Sequence, residues 1–167
     1  ASSSDLITFD SDIDSTYKEY IFQYTDIHPQ TNSVTFQVNF RDGSTAYDAT
    51  KTSSAWGAYQ AEAGDSTLLQ YITAMDVAQG TGVQPLIVYL GNDNDQSASG
   101  KLHLFNPSST TFVKHYMART TYASQDDLTR DYYITGYCNV TAAIDGVQFS
   151  MSSGNIDAGT FKLYGVT

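Results

Sequence analysis

Residues 34–40 read VTFQVNF, and the alternation in them is complete. Val34, Phe36, Val38 and Phe40 are apolar, with Thr35, Gln37 and Asn39 between them. A period of two marks a strand with one face on a core and the other toward water, because successive side chains on a pleated chain point to opposite faces. As a helix the same stretch would scatter its apolar groups around the axis. Arg41-Asp42-Gly43-Ser44 follows at once, a turn in which Gly43 supplies a positive φ. Upstream, TYKEYIFQYTDI is rich in aromatics and stops at His28-Pro29, where proline ends a ladder. The two runs read as a hairpin joined by HPQTNS.

Further short strands are expected at LITF, PLIVYL, KLHLF, TTFVKHYMART, DYYITGYC, GVQFSM and TFKLYGV, each bounded by Gly, Asn, Asp, Ser or Pro. The stretch from about residue 58 to 79 is less regular and is read as a short helix or a long loop. Many short strands at even spacing predict an all-β fold, a single antiparallel β-sandwich or jelly roll over residues 1–167. In KLHLF-NPSS-TTFVKHYMA, pairing Phe105 with Thr110 sets Leu102, Leu104 and Val113 on one face. Lys101, His103, Phe105, Phe112 and Lys114 then share the other. That face can contact a partner subunit or a ligand, and His103, Phe105 and Phe112 are the candidates for the subunit contact. The competing reading is that another part of the domain covers them.

Composition narrows the function. Charged residues are only 16% of the chain, while Tyr alone numbers 13, a palette suited to β surfaces that are neutral but wettable. With 18 Asp plus Glu against 8 Lys plus Arg, the net charge is −10. A field of that sign repels phosphate backbones and anionic bilayers, so neither nucleic acid nor membrane is an expected partner. No apolar run reaches the roughly 20 residues of a membrane helix. The lone Cys138 cannot form an intrachain disulfide and reads as a small buried hydrophobe.

Motifs for chemistry are sparse. There is no G-x-S-x-G elbow, no G-x-G-x-x-G and no phosphate loop. His28, His103 and His115 lack metal-ligand spacing, and the register above sends the last two to opposite faces. No catalytic residue, metal or cofactor is expected, and the chain reads as a non-enzyme. A glycosidase would need two carboxylates across a cleft, and Asp10, Asp12, Asp14, Asp126, Asp127 and Asp131 supply the residue type without the geometry. GNDNDQSASG at 91–100 begins like an EF-hand but has Ala98 where glycine belongs and no closing glutamate. Asx-turns account for it, and its alternative role is a ligand-gripping tip made by Asn92, Asp93, Asn94 and Asp95. Trp56, the only tryptophan, stands with Tyr59 in SSAWGAY. That pair is the first choice for a sugar platform, since ring faces stack on C–H groups, and its alternative is a plug in the core.

Several stretches together, IDSTYKEYIF, DIHPQT, GNDNDQSASGKLHLFNPSSTTFVKHYMART and MSSGNIDAGTFKLYGV, resemble a group of tailed-phage virion proteins common in marine phage genomes. The resemblance implies a virion structural protein, assembled in the host bacterial cytoplasm as a homo-oligomer, a trimer, with other virion proteins as partners. It carries over no catalytic residues, and it implies that GNDNDQSASG is a structural turn. Two roles follow as expectations: a tail-fibre or receptor-binding part touching host surface carbohydrate, or a capsid decoration protein.

Overall fold

A computed structural model describes all 167 residues. Twelve strands follow one another: β1 Ser2–Ser4, β2 Leu6–Phe9, β3 Glu19–Pro29, β4 Val34–Arg41, β5 Lys51–Ala61, β6 Thr67–Tyr71, β7 Gln84–Leu90, β8 Ala98–Phe105, β9 Lys114–Ala123, β10 Leu128–Cys138, β11 Gly146–Met151 and β12 Ile156–Val166. One 3₁₀ turn, Thr73–Met75, lies between β6 and β7. The strands form two antiparallel sheets that pack as a sandwich. The larger has the order β1-β12-β3-β8-β9-β10-β5-β6 and the smaller β2-β11-β4-β7.

The alternation in the sequence is what divides inside from outside. Along β9 every second residue is buried, from Lys114 through Tyr116, Ala118 and Thr120 to Tyr122, and those between are exposed. In β3, Tyr20, Phe22 and Tyr24 point inward by the same rule. The inner faces meet in one continuous core of 29 buried residues. Phe36 and Phe149 of the small sheet lie 5.7 Å apart, centre to centre, and Tyr24 of the large sheet meets Phe36 edge-on at 5.2 Å. Such pairs add about 0.5–1.5 kcal/mol each beyond the area they bury. Four strands cannot cover eight, so the ends of the large sheet overhang, and all five residues of β6 are exposed.

Three local expectations are corrected. First, β3 and β4 are not a hairpin: β3 pairs with β12 and β8, and β4 with β11 and β7. Their apolar faces oppose each other across the core, and residues 30–33 carry the chain from one sheet to the other. Second, β5 runs unbroken to Ala61 and pairs with β6, so residues 58–71 are largely strand, and the helical element is the single turn at 73–75. Third, in the β8–β9 hairpin Leu104 opposes Tyr116, five positions from the expected register. Residues 106–113 form the connection, closed by Ser109 N–H to Asn106 O at 3.0 Å. An odd shift exchanges the faces of β9. Lys114 therefore turns into the core, and His115 turns outward, to the face that carries His103.

Candidate functional site

The outer face of the large sheet is not covered by any other part of the chain. Across it the ladder aligns one residue from each of seven strands: Tyr71, Trp56, Tyr133, Arg119, Lys101, Gln23 and Lys162. Each alternates outward from its strand, since its neighbours Ala55, Tyr132, Ala118, Leu102 and Tyr24 are core residues. Trp56 and Tyr133 stack in parallel, centroids 4.1 Å apart and planes 3° from coplanar. The Arg119 guanidinium lies 4.7 Å from the centre of the Tyr133 ring. It also grips Asp131, two positions along β10, with Nη2 donating at 2.7 Å and Nε at 3.1 Å. This pairing pushes the Arg119 pKa above its ordinary value, so its charge is fixed.

Both faces of Tyr133 are thus occupied, by Trp56 on one side and Arg119 on the other. The free aromatic face of the stack is that of Trp56, on the side of β6, and Trp56 remains 42% exposed. On the other side the sheet surface forms a groove of about 690 Å³, lined by Trp56, Tyr133, Arg119, Asp131, Lys101, His103 and Met117 among others. His103 Nδ1 donates to Glu19 Oε1 at 2.5 Å, which fixes the imidazole at the groove's edge. A mixed wall of aromatic faces, hydroxyls and fixed ions is chemically suited to a polar ligand with C–H faces.

The sequence candidates separate in space. Trp56 belongs to this surface, but Tyr59 does not: three residues along a strand is an odd step, so Tyr59 faces the other way. There it accepts from Ser66 Oγ at 3.4 Å and lies under the guanidinium of Arg130 at 5.5 Å. The partner of Trp56 is Tyr133, and nothing local in SSAWGAY announces it. Lys101 stands on the outer face with His103, as the sequence pattern places it, whereas the grouping with Tyr133 and Arg119 follows from the pairing of β5, β10, β9 and β8. The outward alternation in DYYITGYC is the one local signal for Tyr133.

Asn92, Asp93, Asn94 and Asp95 form a turn, closed by Gln96 N–H to Asp93 O at 2.9 Å. Asn92 Nδ2 donates to Gln30 O at 3.2 Å, and its backbone N–H donates to Asn32 Oδ1 at 3.3 Å. Asp93, Asn94 and Asp95 are exposed and none of the four lines the groove. No group of three His, Cys, Asp or Glu side chains is placed to hold a metal ion. His103 and Phe105 share the outer face, rings 6.2 Å apart, whereas Phe112 stands 70% exposed on the 106–113 connection. Of the six aspartates considered for a glycosidase, Asp131 is the one in the groove. Asp14 is held by the Tyr20 hydroxyl at 2.9 Å, and Asp126 by Arg130 at 3.4 Å.

No family model matches the chain, and no curated protein is similar to it. A crystal structure at 2.40 Å of a structural-genomics protein of unknown function from Bacteroides ovatus is similar over 72% of this chain, with 6% identity and a TM-score of 0.33. The chain spans 46% of that protein's length.

Proposed function

We propose that the protein is a non-enzymatic carbohydrate-binding sandwich of a phage virion, which contacts host surface glycan through the outer face of its large sheet. The observation that carries the glycan part is the Trp56–Tyr133 stack, whose exposed Trp56 face lies beside a groove lined by fixed polar groups. An exposed Trp stacked on an outward-facing Tyr contributes little to the core, and sugar rings are what such surfaces bind through C–H contact. The virion setting rests on the resemblance of LHLFNPSSTTFVKH and the C-terminal GTFKLYGV to tailed-phage structural proteins. Self-association belongs to the same proposal. Its surfaces are the uncharged edge strand β6, with Leu69 71% exposed, and Phe112.

The test is binding of the purified protein to host cells and to polysaccharide extracted from their envelope. Native protein should bind saturably and release no sugar, and Trp56→Ala should abolish binding with the β-sheet spectrum intact. Equal binding by the variant would remove the groove from the proposal. Sugar release lost on Asp131→Asn would replace binding by hydrolysis. Antibody label over the capsid of intact particles, with no host binding, would favour the decoration role.

A further inference from the structure

The distribution of positive charge on this surface deepens the glycan reading, on which it rests. The chain has eight Lys and Arg in a molecule of net charge −10. Lys51 and Lys114 are buried, each donating to backbone carbonyls. Arg130 is buried beside Asp126, and Arg41 is bound to Asp145 at 2.8 Å. Four basic residues remain that face water: Lys18, Lys101, Arg119 and Lys162. Three of the four stand in one row of the ladder, the row that also holds Trp56 and Tyr133.

We infer that the ligand is an acidic polysaccharide, its sugar face on Trp56 and its anionic groups along Lys101 and Lys162, with Arg119 held by Asp131 between Trp56 and Lys101. Glu19 of β3 and Asp131 of β10 stand at outward positions of the ladder, and Asp26 of β3 and Asp157 of β12 are exposed farther along their strands. Asp131 is paired with Arg119, and Glu19 is hydrogen-bonded to His103. Lys101 and Lys162 have no carboxylate within ion-pair distance, so their charge is free for a ligand. From Trp56 to Lys162 the row crosses five strand intervals, about 24 Å at roughly 4.8 Å per interval. That length fits a chain of several sugars lying across the strands, and exceeds a single sugar. The acidic remainder of the molecule does not cancel the row at contact, because physiological salt screens beyond about 8 Å. It does oppose long, densely charged polymers, and this disfavours nucleic acid.

The experiment uses polygalacturonate, alginate and polysialic acid, each beside a form with its carboxylates esterified. The native full chain, Lys101→Gln/Lys162→Gln and Trp56→Ala are compared by calorimetry at two salt concentrations. Expected is binding of at least one acidic form, loss of that binding on esterification, and weakening on added salt. The double lysine variant should bind roughly tenfold more weakly, at about two- to fivefold per lysine, and Trp56→Ala not measurably. If acidic and esterified forms bind alike and the lysine variant equals native, the inference fails while the carbohydrate reading stands. Binding to no polymer in either form overturns both. Tighter binding to single-stranded DNA than to any acidic polysaccharide would reassign the row to nucleic acid.

Discussion

Lys114 illustrates how one side chain decides between two readings of a strand. As a surface lysine it would be dispensable. In the fold it is fully buried, and its Nζ donates to the carbonyls of Val140 at 2.6 Å, Ala142 at 2.5 Å and Ser109 at 3.2 Å. The ammonium therefore ties the 106–113 connection to the chain after β10. Lys114→Met keeps the stem and removes the donors, so it should cost about 2–3 kcal/mol, read as a lowered urea midpoint. Cys138 sits between Lys51 and Lys114 in the ladder, in direct register with both. Burial pushes the thiol up to about 12 and Lys51 down to about 8. For Lys51 the unfolded chain holds the extra proton between pH 8 and its ordinary value near 10.5, so stability from this group rises with pH in that window. For Cys138 the native state holds the extra proton above pH 9, so its contribution falls as pH rises from there. Iodoacetamide at pH 8.5 should accordingly label Cys138 no faster than the protein unfolds, and labelling of the folded protein at the rate of a free thiol would contradict the burial.

At the scale of elements, the 91–97 turn shows what fixes a loop that looks like a ligand site. A side chain at Gly91 would meet the Gln96 carboxamide at 1.6 Å and the Gln125 backbone at 3.0 Å. The buried Gln96 lies under the turn, and its Oε1 accepts from Asp93 N–H at 3.4 Å. Gly91→Ala must displace this amide and should destabilise by about 1–3 kcal/mol, with no change in glycan binding if the turn lies outside the site. Calorimetric melting and the binding assay together check both halves. Most strands were legible from alternation, as Val34–Arg41 and Gly146–Met151 lie where VTFQVNF and GVQFSM place them, but β1, β5 and β6 were not. Strand partners were not legible. Alternation tells which side of a strand is buried and is silent on its neighbour, hence the false β3–β4 hairpin. Register in β8–β9 failed because TTFV continues the apolar pattern while belonging to the connection. The Trp56 platform was half legible for the same reason: the exposed tryptophan could be picked out, and Tyr133 reaches it through pairing distant in sequence.

At the scale of the whole molecule, the sheets are unequal, eight strands against four. The small sheet covers the inner side of the large one, and the outer side is left as a broad surface with aromatic and basic residues in one row. The surface is proposed to bind carbohydrate at Trp56, and the protein carries its own reporter, since Trp56 is the sole tryptophan. The most direct measurement is its fluorescence during titration with envelope polysaccharide from the host. Expected is a saturable change in intensity and emission wavelength, with reduced quenching by iodide, lost in Tyr133→Ala as the stack loosens. Saturable binding by calorimetry with Trp56 emission and quenching unchanged would contradict it, and would place the binding surface elsewhere on the molecule.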